Sequence, residues 1–303
     1  MMSKNRPFHG QQQPTRRALV AVGAAVLAGA VAPPAALAVA RSANARDLSR
    51  VVCIGGAITE ILYALGLADH IVAVDSTSLY PPAALKEKRD IGYMRAVSAE
   101  GVLSMRPSLI LAMRDAGPPQ ALAQLAASPA PLVHVDATPT PAGLIGRVRM
   151  LAALFGVAGR GEALCARIRS GFAALGQWRK AHPAQKRVLF LLSMQGGRPV
   201  VAGSGTAADG AVVLAGGINV AKAISGYKPV SDEAIMAMAP DVVLVMDNAG
   251  PSIGDSVLDL PAFRLTPAGR RHAIIHMDGE YLLGLGPRTP IATLDLAKRL
   301  AAI

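Results

Sequence analysis

One segment of the chain occurs twice. The stretch from Val97 to Leu111 and the stretch from Val230 to Leu244 share Val, Ser, Glu, Met, Pro and Leu at the same internal spacing, 133 residues apart. A Gly-Tyr pair precedes each copy. Two copies are too few for a solenoid, which needs at least three stacked units. The repeat therefore predicts two similar lobes with a ligand cleft between them, because small ligands commonly bind between domains.

Residues 1–40 have the composition of an export signal. They carry four basic residues and no acidic one, and an Ala-rich apolar run extends from Ala18 to about Ala32. Small residues such as Ala36 and Ala38 then form a candidate cleavage site. We predict export by the Sec route or by the twin-arginine route, which Thr15–Val20 fits loosely. The run is too short and too Ala-rich for a membrane span, and we expect no span after it.

Charge and composition narrow the choice of partner. Without residues 1–40 the chain keeps 27 Lys and Arg against 20 Asp and Glu, and a moderately positive surface favours an anionic partner. We exclude nucleic acid, because aromatic residues make up only 4% of the chain and no basic run could follow a phosphate backbone. We expect the protein to be a monomer.

The two cysteines fall in different predicted elements, Cys53 in a strand and Cys165 in a helix. Free cysteine packs as a small hydrophobic residue, so we interpret both as buried, unpaired thiols. A disulfide is the alternative, since exported proteins meet an oxidising compartment.

Short β-like apolar runs alternate with helical patterns along the chain, which indicates an α/β fold with mainly parallel sheets covered by helices. Strands are predicted at Val51–Ile54, Ile71–Val74, Leu109–Ala112, Leu132–Val135, Val188–Ser193, Val242–Met246 and Ala273–Met277. Helices are predicted at Thr59–Leu67, Ala99–Met105, Pro119–Ala127, Ala142–Phe155, Ala234–Met238 and Pro290–Ile303.

A single long helix is predicted between the lobes. No proline occurs from Arg160 to Lys180, and apolar residues recur there at spacings of three and four. Such a helix would measure about 32 Å, long enough to join two lobes and to restrict their movement to a small hinge motion. An ordinary amphipathic core helix is the alternative. We therefore predict an N-terminal lobe at 46–155, a linking helix at 156–185 and a C-terminal lobe at 186–303.

Motifs of known enzyme classes are absent from the sequence. It contains no nucleophile elbow, no H-E-x-x-H zinc motif, no phosphate-binding loop and no dinucleotide fingerprint. His272 and His276 have a spacing of four, but the residues between them look like a strand, where that spacing has no meaning. We predict a binding protein and not an enzyme.

Tyrosine is rare in this chain, and its positions are informative. Two of the five tyrosines, Tyr93 and Tyr227, lie in the repeated segments, and Tyr80 lies in a loop after a predicted strand. Arg95 follows Tyr93 by two residues and lies on the same side of an extended segment. A phenol beside a cation can serve as a phenolate ligand to ferric iron, including haem iron. A simple cleft or surface phenol is the alternative at each position.

Two glutamates occupy matched positions of the repeat. Glu100 and Glu233 each follow a serine, Ser98 or Ser231, that is expected to cap a short helix. An acid in the first turn of a helix stabilises it, and this local role could account for both glutamates. The alternative is a pair of carboxylates, one on each lobe, that face a common external partner.

The sequence resembles the periplasmic haemin-binding proteins of bacterial haem ABC importers, which share the fold of cobalamin- and siderophore-binding proteins. The resemblance runs from about Arg50 to the end of the chain. It rests on Gly55–Ile61, Asp75–Pro81, Ile91–Arg95, Ala99–Leu103, Thr206–Asp209, Ala215–Asn219, Gly226–Pro229 and Leu282–Arg288. The Gly-Tyr-Met-Arg segment within it points to haem and not to cobalamin.

The resemblance implies a set of ligand contacts. Tyr93 corresponds to the axial ligand of the haem iron, with Tyr80 as the alternative. Arg95, Tyr227 and Lys228 are implied partners of the haem propionates or of the ligating phenolate, in charge-assisted hydrogen bonds. Ferric haem would then be the transported ligand, captured in the periplasm.

The resemblance also implies that two residues dock on the permease, and at one further position the sequence departs from the family pattern. Glu100 and Glu233 match the paired carboxylates that dock on arginines of the permease dimer in the inner membrane. Some relatives have a histidine that binds a second iron after the Leu-Ser in the second lobe, where this chain has Met194. A Met194 thioether could lie near the ring, and we expect a single haem. The rival hypotheses are a binder of cobalamin or a ferric siderophore and, from another class, an exported haem-modifying enzyme.

Overall fold

The computed structural model describes residues 47–183, 185–247 and 253–303, so the predicted export signal lies outside the described residues. The first lobe has the strands β1 (Val51–Ile54), β2 (Ile71–Val74), β3 (Arg89–Asp90), β4 (Leu109–Met113) and β5 (Leu132–Val135). Its helices are α1 (Gly56–Ala64), α2 (Ala83–Glu87), α3 (Ala99–Ser104), α4 (Pro119–Ala126) and α5 (Pro141–Leu154).

The strands of the first lobe form one parallel sheet in the order β3-β2-β1-β4-β5. The two central strands, β1 and β4, are buried along their whole length. Strands that are covered on both faces read as continuous apolar runs, which is why the sequence marks them clearly. All the parallel strands end at the same edge of the sheet, and the loops that follow β1, β2, β3 and β4 line a cleft there.

Helix α1 begins at Gly56, three residues before the predicted start. Side chains that follow β2 satisfy its first amides: Gly55 N–H donates to Asp75 Oδ1 at 2.7 Å and Gly56 N–H donates to Thr77 Oγ1 at 3.1 Å. Gly55 has φ +126°, and a Cβ there would lie 2.3 Å from Met113. Glycine is therefore required at this position by both conformation and space.

The second lobe begins after the long helix α6 (Ala158–Ala181). Its strands are β6 (Arg187–Gln195), β7 (Arg198–Ala202), β8 (Ile218–Asn219), β9 (Tyr227–Pro229), β10 (Val242–Asp247) and β11 (Ile274–Asp278). Its helices are α7 (Ala207–Ala215), α8 (Asp232–Met238), α9 (Pro261–Arg264), α10 (Pro267–Arg271), α11 (Gly279–Leu283) and α12 (Thr289–Ala301). Short 3-10 turns cover Ala68–His70 and Asp255–Asp259.

The sheet of the second lobe is mixed. Strands β11, β10, β6 and β8 pair in parallel, whereas β7 pairs antiparallel with both β6 and β9. The turn Gly196-Gly197, with both φ values positive, connects β6 to β7 as a hairpin. The predicted α/β fold with two lobes and mainly parallel pairing is confirmed, and the antiparallel hairpin is the feature that the sequence analysis missed.

Helix α6 contacts the cores of both lobes. Its first half places Leu164, Cys165 and Ile168 in the core of the first lobe, and its second half places Leu175 in the core of the second. Phe172 lies between them and packs against both cores. The prediction of one long helix that joins the lobes is therefore confirmed. At 24 residues it measures about 36 Å.

Cys53 on β1 and Cys165 on α6 are both buried and unpaired, as predicted from the sequence. Burial raises the pKa of each thiol, which keeps both uncharged. Within the described residues, no helix combines the length and the apolar character needed to cross a bilayer.

Candidate functional site

A cleft of about 690 Å³ lies between the two lobes. This volume is within the range of roughly 300–1,000 Å³ that is usual for small-molecule sites. The first lobe contributes the start of α1 and the loops after β2, β3 and β4. The second lobe contributes β6, β9, β10 and α11. The larger aliphatic side chains in the lining are those of Leu79, Met94, Met113, Leu192, Met246, Leu283 and Leu285. The cleft can therefore cover both faces of a flat, largely apolar ligand.

A phenol, a guanidinium and a carboxylate form one chain of contacts on the first-lobe side of the cleft. Arg95 Nη1 donates to Tyr93 Oη at 3.0 Å, and Arg95 Nη2 donates to Asp115 Oδ2 at 2.6 Å. Burial opposes the charge of Arg95, but the hydrogen bond with Tyr93 and the charge of Asp115 together raise its pKa. The guanidinium stays positive and can compensate negative charge on the Tyr93 oxygen.

The backbone presents Tyr93 to the cleft. Gly92 has φ +89°, and its carbonyl accepts a hydrogen bond from Ser76 N–H at 2.9 Å, which ties this loop to the end of β2. The Tyr93 side chain remains 45% exposed. A phenol that is accessible and already hydrogen-bonded to a cation is suited to bind a metal ion carried by a ligand.

Tyr227 faces the same cleft from the second lobe. It lies on β9 directly after Gly226, which has a positive φ (+72°), as Gly92 has before Tyr93. The two Gly-Tyr pairs therefore share this backbone feature as well as their sequence. Burial raises the pKa of Tyr227, against the opposing effects of the Arg95 charge and of hydrogen bonds with Thr206 and Ala208. The cation of the first lobe thus acts on a phenol of the second lobe across the cleft.

Three sequence-predicted ligand contacts lie elsewhere. Of the described residues, the cleft lining includes Tyr93, Arg95 and Tyr227 but does not include Tyr80, Met194 or Lys228. Lys228 follows Tyr227 on β9, and neighbouring strand residues point to opposite faces. Met194 lies near the end of β6 beside the hairpin, opposite Pro199.

Tyr80 belongs to a second cavity of about 500 Å³, between α1, α6 and the start of α12. The guanidinium of Arg288 lies over its ring, 3.6 Å from the ring centroid. Such a cation–π contact holds the ring in place. The geometry therefore favours Tyr93 over Tyr80 as a phenol that meets a ligand in the cleft.

An ion pair that the sequence analysis missed joins the lobes. Glu60 on α1 accepts hydrogen bonds from Arg288 N–H at 2.9 Å and from Arg288 Nε at 3.1 Å. Glu60 is 4% exposed, and its burial raises its pKa despite the charge of Arg288. A second contact between the lobes is a hydrogen bond from Arg147 Nη2 to the Leu285 carbonyl at 2.9 Å. Because the partners of each contact lie far apart in the sequence, no local sequence pattern predicts either contact.

We predict that Arg288→Ala lowers the free energy of unfolding by about 2 kcal/mol. Removing one partner of a fully buried pair costs roughly 3–5 kcal/mol, and the loss is smaller here because Arg288 is partly exposed. Urea unfolding followed by circular dichroism measures the change. Arg271→Ala is the matched control, since its contact with Asp241 is long, at 3.9 Å, and the Arg271 side chain is 54% exposed, so it should cost below about 1 kcal/mol. Equal losses in both variants would contradict the prediction.

The two repeated helices carry the matched glutamates at exposed positions. Ser98 Oγ accepts from Gly101 N–H at the start of α3, and Ser231 Oγ accepts from Ala234 N–H at the start of α8, so both predicted caps are confirmed. A hydrogen bond from the Ser231 hydroxyl lowers the pKa of Glu233.

The far ends of these helices are also capped alike. Arg50 Nη2 donates to the Met105 carbonyl at 2.6 Å, and Arg187 Nη2 donates to the Met238 carbonyl at 2.6 Å. Arg50 directly precedes β1, and Arg187 is the first residue of β6. The duplicated unit thus includes an arginine outside the segment that repeats in the sequence.

Similar proteins identify the family of this chain. A family model described as periplasmic binding protein matches residues 51–281. The chain belongs to the periplasmic binding protein family. Its predicted resemblance to periplasmic haem-binding proteins is confirmed as well, by the similarity of its structure to solved members of that group.

This periplasmic binding protein is 40% identical to the periplasmic heme-binding protein RhuT from Roseiflexus sp. RS-1, with a TM-score of 0.79 over 84% of this chain and 99% of that one. It is 39% identical to the periplasmic heme-binding protein BhuT, solved in complex with two hemes, with a TM-score of 0.78 over 84% and 98%. The vitamin B12-binding protein of Yersinia pestis (strain Pestoides F) is 28% identical over 261 residues, 86% of this chain and 89% of that protein. All three relatives are binding proteins.

Proposed function

We propose that this protein captures ferric haem in the periplasm and delivers it to the permease of an ABC importer. The observation that carries the proposal is the Arg95–Tyr93 hydrogen bond at the wall of an apolar cleft. Phenolate oxygen is an established ligand of haem iron. The guanidinium stabilises the negative charge that such a ligand must carry. The 40% and 39% identities to haem-binding proteins support the same ligand.

The proposal assigns roles to polar residues of the cleft, and the hydrogen bonds there support it. Tyr93 ligates the iron, and Arg95 stabilises the ligating oxygen through its hydrogen bond. Tyr227 faces the ligand from the opposite lobe and is available to a propionate or to the second face of the ring. The iron arrives within the porphyrin.

The second candidate is cobalamin. It is favoured by one observation, the 28% identity to vitamin B12-binding proteins across 86% of the chain. Cobalamin already carries its own lower ligand to cobalt, so a phenol beside a guanidinium gives it no specific advantage. The cleft chemistry therefore favours haem over cobalamin.

We expect an optical titration of the purified protein to distinguish the two ligands. Ferric haem should produce a saturable Soret band and charge-transfer bands at one equivalent. Cyanocobalamin should compete at least about 100-fold more weakly, because it forms no bond with the Tyr93 oxygen. Saturation at two equivalents would keep the haem proposal and replace the expected single haem with a stacked pair. Tight cobalamin binding without haem binding would overturn the proposal.

A further inference from the structure

A carboxyl group of the second lobe lies against the first lobe at the floor of the cleft. Glu280 is the second residue of α11, and its side chain extends between Gly56, the first residue of α1, and Gly284. A Cβ added to Gly56 would lie 2.2 Å from Glu280 Oε1, and one added to Gly284 would lie 2.6 Å from it. The two glycines therefore form a notch that the Glu280 carboxyl fills. No larger residue at either position leaves room for it.

The charges around this notch are unbalanced. Asp75 after β2, Glu60 on α1 and Asp278 before α11 all act on Glu280, and Arg288 is the cation that opposes them. Arg288 already forms the ion pair with Glu60, and Asp75 accepts hydrogen bonds from the first lobe. Burial first, and repulsion by Asp75 and Glu60 second, raise the pKa of Glu280 to about 9.

The other titratable groups on elements packed against α11 are already engaged. Asp209 on α7 accepts a hydrogen bond from Asn219, and Asp295 on α12 accepts one from Tyr281 Oη. On β11, both ring nitrogens of His276 contact carboxylates, those of Asp247 and Asp255. On α12, Arg299 Nη1 donates to the His276 carbonyl at 2.8 Å. His276 and Arg299, which can carry a positive charge, thus bind partners other than Glu280 among the described residues, and the two aspartates could not neutralise it.

We propose that Glu280 joins the two lobes as an uncharged carboxylic acid at the floor of the cleft, and that its deprotonation loosens this joint. The neutral acid can remain in the notch beside Asp75 and Glu60, whereas a carboxylate there would face two like charges. Loss of the proton favours movement of α11 away from the start of α1. This device concerns the lobes themselves and does not depend on which ligand occupies the cleft.

The sign of the pH effect follows from linkage. Between about pH 4.5 and pH 9, an acid whose pKa is about 9 in the closed joint and near 4.5 when exposed keeps its proton only in the closed state. The closed joint is then fully stable below about pH 4.5 and loses stability as the pH rises to about 9. The opening equilibrium should increase by up to about tenfold per pH unit in this window and level off above it.

Hydrogen exchange of the ligand-free protein tests the proposal. Amide exchange in residues 55–62, corrected for the intrinsic rate at each pH, should accelerate about tenfold or more between pH 6.5 and pH 8.5. Glu280→Gln keeps the shape of the side chain and cannot ionise, so its exchange should not change over the same interval. Glu87→Gln, which removes an exposed carboxyl, should behave like the wild type. Equal pH dependence in wild type and Glu280→Gln would overturn the proposal.

A measurement on the unmodified protein covers the case in which the Gln variant does not fold. Carbon-13 spectra of glutamate-labelled wild type should contain one carboxyl resonance that titrates between about pH 8 and pH 10. If every glutamate carboxyl titrated below pH 7, Glu280 would be ionised in the folded protein and the joint would not exist as described. Because neither experiment uses haem, both outcomes are independent of the proposed ligand.

Discussion

Tyr93→Phe is expected to weaken ferric haem binding by more than about 100-fold and to remove the charge-transfer bands of a phenolate complex. Phenylalanine preserves the ring and its packing against the cleft but lacks the oxygen that would bind iron. Loss of only an outer partner of a metal ligand commonly costs about 10–100-fold in affinity, so loss of the ligand should cost more. Absorbance and fluorescence-quenching titrations with haemin measure the change.

Arg95→Ala should have the smaller effect that is expected of an outer partner, about 10–100-fold in affinity. The Tyr93 oxygen would remain, but without the guanidinium hydrogen bond at 3.0 Å that stabilises its negative charge. A spectrum that keeps its charge-transfer bands at reduced affinity would separate this role from ligation. Loss of the bands in Arg95→Ala, with Tyr93 intact, would show that the two residues act as one unit.

Tyr227→Phe and Tyr80→Phe are the matched controls for the ligand assignment. Tyr227 shares the cleft with Tyr93 but lies on the opposite lobe, and Tyr80 lies under Arg288 in the neighbouring cavity. Both variants should keep the charge-transfer bands of the phenolate complex. Spectral loss in Tyr80→Phe, with Tyr93→Phe unchanged, would transfer the ligand to the alternative phenol.

The elements that the sequence predicted well are those set by local patterns. The buried strand β1 and the strands β2 and β5 match the prediction residue for residue, because short, mainly apolar runs rich in β-branched residues are typical of strands. The caps Ser98 and Ser231 were also predictable, since an N-cap bonds only to the next few residues. The repeat itself predicted the two lobes.

The features that escaped prediction depend on contacts between distant residues. Helix α1 begins early because Asp75 and Thr77, about 20 residues away, bond to its first amides. The Glu60–Arg288 pair joins residues 228 apart, and neither residue has a local pattern that names its partner. Glu280 is inconspicuous in the sequence, and its raised pKa exists only where the lobes meet. Such features require the folded chain.

Reversal of both repeated glutamates, Glu100→Arg with Glu233→Arg, is expected to reduce haem import at least about 100-fold while leaving haem binding unchanged. The resemblance implies that these residues meet arginines of the permease, and juxtaposed like charges across an interface cost several kcal/mol. Each glutamate is exposed, and each lies in the first turn of a helix that an arginine, Arg50 or Arg187, caps at the far end. The two carboxylates are therefore held on equivalent rigid supports.

Uptake of haem into vesicles that contain the reconstituted permease measures import, and a haemin titration of the same variant measures binding. Each single reversal should give an intermediate loss, because one lobe would still dock. The control with equal charge change is Glu87→Arg with Asp259→Arg, which alters one exposed acid on each lobe outside the repeated helices and should import normally. If the control lost import equally, overall charge and not docking would be responsible, since steering depends on the field of the whole protein. If the double reversal at Glu100 and Glu233 imported normally, the repeated helices would have no part in docking, and the serine caps alone would account for their acids.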